Sequence, residues 1–197
     1  MCYIINGDNM KIIVISDIHG LITGLIKVEE KIKELNIDKL IVLGDIYYTG
    51  IRNMLHKDYN PQYIEDFLRK NKDKLICIRG NCDSDEDVQR NDFIDTKEID
   101  KITLNNKDIY FTHGHIYNER NWDKNNTILI FGHYHVPFVR KIDTNYYINP
   151  GSLSLPREYD IPTYLVIDDN SITIYDINDI IVDKLDFKEI IKWVKDI

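Results

Sequence analysis

The chain has 197 residues, of which 33 are acidic and 25 are Lys or Arg, so its formal net charge is −8. This charge argues against broad nucleic-acid binding, because sequence-independent affinity for phosphate backbones needs clustered Lys and Arg. The length and the 43% of hydrophobic residues suit one globular domain, and no apolar run approaches the roughly 20 residues that cross a bilayer. Three cysteines without a C-x-x-C pair favour a reducing compartment, so we expect a cytoplasmic protein.

The first half of the chain alternates short apolar runs with amphipathic segments. Strands are predicted at 11–16, Asp38–Leu43 and Leu75–Ile78, because each run is short, rich in branched residues and bounded by polar ones. Helices are predicted at Leu21–Leu35, from apolar residues at three- and four-residue steps, and at Pro61–Lys70, with Pro in its first turn. This β-α-β-α-β order predicts a parallel sheet with right-handed crossovers.

The second half changes to short strands with tight links. Residues 1–9 lack periodicity and are interpreted as a loose extension of a single α/β domain spanning residues 10–197. The loops 47–60 and 115–125 are expected to shape a cleft. A turn at 168–171 should join the last two strands as a hairpin. We predict strands at Ile99–Leu104, Lys107–Thr112, Ile128–Phe131, Phe138–Ile142, Tyr146–Ile148, Tyr164–Ile167 and Ser171–Tyr175, and a closing helix at Phe187–Val194.

Metal-ligating residue types follow the predicted strands at the point where each strand ends. Asp17 and His19 follow the first strand, Asp45 the second and Asn81 the third. Because the carboxyl ends of parallel strands open on one side of a sheet, these side chains should converge. Five of the six histidines belong to such segments, and those after the later strands are His113, His115, His133 and His135.

The mixture of imidazole and carboxylate suits Mn, Fe, Zn, Co or Ni rather than calcium, which prefers oxygen ligands. Seven candidate ligands are too many for one tetrahedral site. They fit two ions bridged by a carboxylate, an arrangement that activates a water and holds a phosphoryl group. Small residues beside the ligands allow close backbone approach. These are Gly20, Gly44, Gly80, Gly114 and Gly132.

Five motifs occur in a fixed order between Asp17 and His135: Asp-x-His, Gly-Asp, Gly-Asn-Cys-Asp, His-Gly-His and Gly-His-x-His. In that order they resemble the calcineurin-like metallophosphoesterase superfamily, specifically its small bacterial and archaeal branch of YfcE-type phosphodiesterases. The segments 149–152 and 156–158 are also similar to that branch. The resemblance runs from residue 10 to about residue 175 and implies a four-layer α-β-β-α sandwich in one domain, with the site at one rim.

The resemblance also assigns the seven side chains to two divalent metal ions, most often manganese in that branch, with Fe, Zn, Ni and Co as alternatives. It implies a first ion on Asp17, His19 and His135, a second on Asn81, His113 and His133, and Asp45 as the bridge. The expected reaction is hydrolysis of a small phosphodiester by a metal-bridging hydroxide, with Asn81, His113 and Asp45 as catalytic residues.

One position departs from the family pattern. Cys82 stands where many members carry a His that contacts the substrate. The sequence therefore assigns no residue as the general acid, and it favours substrates whose leaving group departs with little protonation. Cys82, His115 and Arg52 are candidate substrate contacts, although His115 equally fits a structural role and Arg52 fits a solvated or salt-bridged arginine better than a substrate contact. We interpret Arg79 and Arg157 as structural.

Two other functions stay open at this point. The first is a phosphomonoesterase, protein phosphatase or nuclease on the same metal core. The second is a non-catalytic scaffold like the retromer subunit that shares this fold, although a scaffold could lose ligands and every ligand position is filled here. We therefore expect an enzyme, a metal-dependent phosphoric diester hydrolase, with a small phosphodiester as its partner, no membrane association, and a composition that permits a homo-oligomer.

Overall fold

The computed structural model describes residues 3–4, 10–50, 56–104 and 107–191, which form two β-sheets and four helices. The strands are β1 (Tyr3–Ile4), β2 (Ile12–Ile15), β3 (Lys39–Val42), β4 (Leu75–Ile78), β5 (Ile94–Asp95), β6 (Ile99–Leu104), β7 (Lys107–Thr112), β8 (Ile128–Phe131), β9 (Pro137–Ile142), β10 (Asn145–Pro150), β11 (Thr163–Ile167), β12 (Ser171–Asp176) and β13 (Ile181–Asp186). The helices are α1 (Thr23–Leu35), α2 (Pro61–Lys70), α3 (Asp85–Arg90) and α4 (Phe187–Ile191).

The larger sheet has seven strands in the order β13-β12-β11-β2-β3-β4-β5. The four strands from β2 to β5 are mutually parallel, and β11, β12 and β13 add antiparallel pairs on the β2 side. The parallel half carries the crossovers α1 and α2, as predicted from the alternation of elements. Its strands therefore end at one edge of the sheet.

The smaller sheet has six strands in the order β1-β6-β7-β8-β10-β9. Strands β7 and β8 are parallel neighbours, and Thr112 at the end of β7 pairs with Phe131 at the end of β8. The segments that follow these two strands therefore leave the sheet at the same level. This register brings the two histidine-containing motifs side by side.

The main core lies between the two sheets. In β2, Ile12 and Val14 face the second sheet, and Ile13 and Ile15 face the helices, so all four side chains are buried. The alternation follows from the two-residue period of a strand, and burial on both faces explains the unbroken apolar run. No helix in the described ranges is long and apolar enough to cross a bilayer.

The outer face of the six-stranded sheet is covered by the segment 113–127, which forms turns in the described chain rather than a helix. Trp122 packs edge-on against Tyr110, with ring centroids 5.0 Å apart. Asn118 and Asn121 bond to nearby backbone groups, and such local bonds compete with helical ones. The predicted α/β fold in one domain is confirmed, and these turns form the fourth layer.

Most predicted elements match the structure to within two residues, and α2, β4, β6, β7 and β8 match at both ends. The closing helix is present as α4, although its predicted end lies outside the described residues. Four elements were not predicted: α3, β5, β13 and the strand β1, which lies in the segment interpreted as a loose extension. Strand β1 pairs with β6, while residues 5–9 are not described, so the boundary at residue 10 stays a prediction.

Candidate metal centre

The seven predicted ligands meet at one rim of the sandwich, where strands of both sheets end. The loops after β2, β3 and β4 approach from the larger sheet, and the loops after β7 and β8 approach from the smaller one. Most of the ligands are buried, whereas Asn81 is exposed and His133 is half-buried. The seven side chains therefore lie together, as predicted, and Asn81 and His133 form the open side of the site.

A first group of potential ligand atoms contains Asp17, His19 and His135. The Nε2 atom of His135 lies 3.2 Å from Asp17 Oδ1 and 3.2 Å from His19 Nε2. His19 Nε2 lies 3.9 Å from the same carboxylate oxygen. These three potential ligand atoms thus lie close together, and they belong to the three residues that were predicted for the first ion.

A second group contains Asp45, His113 and His133. His113 Nε2 lies 3.4 Å from Asp45 Oδ1 and 2.9 Å from the amide oxygen of Asn81. The rings of His113 and His133 are 5.2 Å apart. Together with Asn81, this group contains the three residues that were predicted for the second ion and the predicted bridge Asp45.

Asp45 lies between the two groups. Its Oδ1 atom faces His113, whereas its Oδ2 atom lies 3.8 Å from His19 Nε2 in the first group. Oδ1 also accepts a hydrogen bond from the backbone N–H of Cys82, at 2.8 Å. The two oxygens of one buried carboxylate therefore point to different sets of histidines.

The backbone is held in an uncommon conformation at these ligands. Five of the ten non-glycine residues with positive φ in the described chain are predicted ligands. Such conformations cost free energy and cluster at functional sites. The five, with φ between 49° and 65°, are Asp17, His19, Asp45, His133 and His135.

Two glycines have no room for a side chain beside the ligands. A Cβ atom on Gly80 would lie 2.2 Å from Asp45 Oδ1, and one on Gly132 would lie 1.8 Å from Ser16 Oγ and 2.7 Å from Asp17 Oδ2. The close approach that the sequence predicted at these two positions is therefore a packing requirement of the site.

The carboxylate of Asp83 ties the loop after β3 to the loop after β4. It accepts hydrogen bonds from the backbone N–H groups of Asp45 at 2.9 Å, Ile46 at 2.7 Å and Gly80 at 2.7 Å. Its side chain is buried, and burial raises its pKa although the three donors oppose that shift. Asp83 is the last residue of the Gly-Asn-Cys-Asp motif, and no role was predicted for it.

The segment 149–155 ties the two sheets together at the site. Asn149 donates its amide to the carbonyl of Gly132, at 2.7 Å, next to His133. Ser152 donates its hydroxyl to the carbonyl of Asp17, also at 2.7 Å. One short segment thus fixes ligand-bearing loops of both sheets relative to each other.

Electrostatics couples His113 to the neighbouring carboxylates. Burial alone would lower the pKa of His113, but its contact with Asp45 and the charges of Asp17 and Asp45 raise this pKa to about 9. Burial would raise the pKa of Asp45, but His113 holds it well below its usual value. His133 differs, because burial and the neighbouring His113 both lower its pKa.

Two observations show that the side chains suit metal ions. Asp17 Oδ1 is buried and accepts no hydrogen bond, while Oδ2 accepts one from Ser16 and one from the backbone of His133. His19, His113 and His135 each place Nδ1 against a backbone carbonyl. Since a carbonyl only accepts, Nδ1 carries the proton and Nε2 faces the site, as in metal-binding histidines.

The candidate substrate contacts have different outcomes. Cys82 lies beside the site, and burial and the charge of Asp45 raise the pKa of its thiol to about 12, so it is protonated at neutral pH and unsuited to nucleophilic attack.

His115 lies behind His113, with rings 5.3 Å apart and its Nε2 4.0 Å from Glu98. Arg52 lies outside the described residues. Arg79 is structural as expected, because it bonds to Asp83 O and Asp85.

A cleft of about 1120 Å³ opens from the candidate metal centre. Tyr48, Thr49 and Gly50 line one part of it, and Glu119 and Arg120 line another, so both loops that were expected to shape a cleft contribute. Several lining residues were not predicted, because nothing in the sequence of the turns at 113–127, of β9 or of the residues just before β9 marks them as functional. They are Arg120, Tyr134, Phe138 and Arg140, and Arg157 lines the same cleft.

Comparisons with known proteins agree with this geometry. Residues 10–171 match the model of the calcineurin-like phosphoesterase superfamily domain. The phosphodiesterase YfcE of Escherichia coli K12 is 31% identical over 172 residues, which cover 86% of this chain and 94% of that protein. The probable metallophosphoesterase YsnB of Bacillus subtilis 168 is 25% identical over 167 residues, which cover 80% of this chain and 83% of that protein.

Solved structures give the same result. The structure of the E. coli phosphoesterase YfcE superposes with a TM-score of 0.84 at 29% identity, covering 90% of this chain and 99% of that one. Vacuolar Protein Sorting 29 from Cryptosporidium parvum shares the fold, with a TM-score of 0.59 at 16% identity, covering 91% of this chain and 100% of that one. From the family match and the relationship to YfcE, we conclude that the chain belongs to the calcineurin-like phosphoesterase superfamily.

Proposed function

We propose that this chain is a metal-dependent phosphodiesterase that holds two divalent ions, joined by Asp45, and hydrolyses a small phosphodiester to a phosphomonoester and an alcohol. The single observation that carries the proposal is the position of Asp45, whose two oxygens face separate histidine groups. The 31% identity to the phosphodiesterase YfcE supports the same reaction class.

The residues of each group would hold one ion, as the sequence analysis assigned them. When bound, the two ions would supply Lewis-acid stabilisation of the phosphoryl group and a water of lowered pKa. We propose manganese as the ion, while the ligand types also fit Fe, Zn, Ni and Co.

The chain's own groups position the substrate at the open side of the site. Asn81 is exposed there, and its amide nitrogen, which lies 3.3 Å from Cys82 Sγ, can donate a hydrogen bond to a phosphoryl oxygen. His113 is fully buried behind Asn81, and its Nε2 atom lies 2.9 Å from the amide oxygen, so both atoms would face the second ion and the amide nitrogen of Asn81 would be left to face the cleft. We propose that these two residues stabilise the charge that develops on the phosphoryl oxygens.

Cys82 sets the kind of leaving group that the proposal favours. Its thiol is protonated at neutral pH and can donate only a weak hydrogen bond. Among the described residues, the carboxylates that line the cleft are the predicted bridge Asp45, Glu119 and Glu158, and no lysine lines it. We therefore propose substrates whose departing alcohol needs little protonation, as in aryl phosphodiesters.

Metal removal tests this proposal. After dialysis against a chelator, we expect hydrolysis of bis(p-nitrophenyl) phosphate to fall by about 10³-fold or more, and added Mn²⁺ to restore it with two ions bound per chain. Elemental analysis gives the stoichiometry, and p-nitrophenyl phosphate and a single-stranded oligonucleotide serve as competing substrates. Equal rates with and without metal would contradict the proposal, and a faster rate on the monoester or the oligonucleotide would favour the alternative enzyme functions.

Metal affinity should depend on pH through His113. Its pKa of about 9 means that the imidazole of the metal-free chain is protonated at neutral pH, whereas a metal ion binds only the neutral form. Binding therefore displaces a proton, and the affinity for Mn²⁺ should rise about tenfold per pH unit between pH 7 and 8. Calorimetry in buffers of different ionisation enthalpy measures both quantities. A constant affinity over this range, without proton release, would show that metal binding displaces no proton from His113 and would contradict this prediction.

The remaining predictions about partners come from the sequence alone. The net charge of −8 supports a small substrate rather than a long polyanion. The cytoplasmic location, the lack of membrane association and a homo-oligomeric state stay predictions.

A further inference from the structure

The cleft is larger than the proposed reaction centre requires. Its volume of about 1120 Å³ is at the upper end of the range for small-molecule sites. The metal ligands occupy one end, and the other end is lined by residues of β9, of the turns at 113–127 and of the segment 154–158. The substrate therefore has room to extend well beyond the scissile phosphodiester.

The arginines of the chain divide into two sets. Six of them lie in the described residues, and the three outside the cleft each form an ion pair: Arg69 and Arg90 with Glu65, at 3.1 and 3.0 Å, and Arg79 with Asp85, at 2.7 Å. The other three line the cleft, and no carboxylate of the described chain lies within 4.0 Å of their guanidinium nitrogens. These are Arg120, Arg140 and Arg157, which we call the cleft arginines.

The cleft arginines are placed by different contacts. The guanidinium carbon of Arg140 lies over the ring of Phe138, 4.1 Å from its centroid. A backbone bond places each of the other two: the N–H of Arg157 donates to the carbonyl of the predicted ligand His135, at 2.9 Å, and the N–H of Arg120 donates to the side chain of Asn118, at 3.0 Å. All three residues are exposed at the cleft, and no carboxylate of the described chain forms an ion pair with them.

Tyr134 and Phe138 give this end of the cleft an apolar surface. Both rings pack against Phe131, at centroid distances of 5.3 and 5.9 Å, and the guanidinium carbon of Arg140 lies over the ring of Phe138. At least one of the cleft arginines therefore lies directly beside the apolar surface.

From this arrangement we infer that the substrate carries a second phosphate, on one of the two alcohols of the diester, and that the cleft arginines bind it. This inference rests on the proposed function for the scissile phosphodiester. Planar guanidinium groups suit phosphate oxygens, which accept paired hydrogen bonds, and a dianion can engage several at once. The apolar surface of Tyr134 and Phe138 would contact the body of that alcohol.

Apart from the predicted bridge Asp45, two carboxylates, Glu119 and Glu158, line the same cleft. They reduce the local charge of the cleft arginines from +3 to +1, and the chain as a whole carries −8. The negative charge of the rest of the chain would therefore repel a long polyanion, whereas a single phosphate inside the cleft would lie near the cleft arginines. The arrangement selects for a compact ligand with a second anionic group.

A pair of nucleotides that differ by one phosphate tests the inference. We would measure the Kd of the manganese-loaded chain for thymidine 5′-monophosphate and thymidine 3′,5′-bisphosphate by calorimetry. We expect the bisphosphate to bind about tenfold more tightly. In the double variant Arg140→Gln/Arg157→Gln this ratio should fall to about one, whereas the matched control Arg90→Gln should keep it. In 0.5 M NaCl the ratio of the unmodified chain should also fall, because exposed charges are screened.

Two results would overturn the inference: a ratio near one in the unmodified chain, or a tenfold ratio that survives the double substitution. If the double variant does not fold, the two single variants and the salt series give the same decision. Hydrolysis of bis(p-nitrophenyl) phosphate is measured separately. A chain that hydrolyses it and shows no preference for the bisphosphate loses only the inference. A chain that prefers the bisphosphate and hydrolyses no diester overturns the proposed function instead.

Discussion

Replacing Asp45 with Asn should lower kcat for bis(p-nitrophenyl) phosphate by about 10³-fold or more. The amide has the same shape as the carboxylate, but it has no negative charge and only one oxygen. Asp45 uses both of its oxygens, since Oδ2 faces His19 and Oδ1 faces His113. The variant should also lose the cause of the raised pKa of His113, so that two properties of the site change together.

The matched control for this variant is Asp66→Asn, on the exposed face of α2 away from the site. It removes the same charge from the same kind of side chain, and we expect its kcat and KM to equal those of the unmodified chain. Thermal unfolding of both variants checks that the fold is retained. A rate for Asp45→Asn within tenfold of the unmodified chain would exclude Asp45 as the bridge between two metal groups.

The sequence predicts that the candidate ligands converge, because their positions depend on chain topology. Short apolar runs identify the parallel strands, and parallel strands must end at one edge, so residues such as Asp17 and Asp45 converge whatever the rest of the fold does. The strand β2 shows what an apolar run in the sequence does not predict. Its unbroken run predicts burial on both faces, but the run alone does not show which side chains face the second sheet.

Elements without an apolar period were missed. The helix α3 has a single apolar residue, Val88, and is stabilised locally by a capping box between Ser84 and Asp87, so no apolar stripe marks it. The strand β13 lies at the edge of its sheet with Ile181 exposed, and its sequence merges into the closing helix. Both depend on local bonds or on an edge position, which hydrophobic periodicity does not report.

The cleft could not be predicted, because it depends on which charges remain unpaired. Arg79 and Arg157 look alike in the sequence, and both were interpreted as structural. The structure pairs Arg79 with Asp85 and leaves Arg157 at the cleft beside the predicted ligand His135. Ion pairing is decided by long-range contacts, so a single sequence cannot separate these two roles.

Asp83 leads to the second large expected effect. Its buried carboxylate accepts backbone hydrogen bonds from Asp45, Ile46 and Gly80, at 2.7–2.9 Å. These bonds hold Asp45 in its left-handed conformation, at φ 54°, and keep the loop after β4 against it. Asp83 touches no predicted metal or substrate, so it acts as a positioning residue through Asp45.

Replacing Asp83 with Ala leaves three backbone donors without an acceptor in a buried site, and each such group costs roughly 1–3 kcal/mol. We expect the free energy of unfolding to fall by about 3 kcal/mol or more, as measured by urea denaturation. The affinity for Mn²⁺ should fall by about 10- to 100-fold, because Asp45 is no longer held in place. Excess Mn²⁺ should then restore part of kcat. If the substitution had instead removed a catalytic group, excess Mn²⁺ would not restore kcat.

Asp87→Ala is the matched control, since Asp87 also accepts a hydrogen bond from a backbone N–H, that of Ser84 at 3.0 Å, but only caps α3. This variant should lose about 1 kcal/mol of stability and keep its affinity for Mn²⁺. Asp83→Asn, which retains one acceptor oxygen, should lie between Asp83→Ala and the unmodified chain in both measurements, and it serves if Asp83→Ala does not fold. If Asp83→Asn binds Mn²⁺ as tightly as the unmodified chain although its stability is reduced, then Asp83 supports the fold alone and Asp45 is positioned by other contacts.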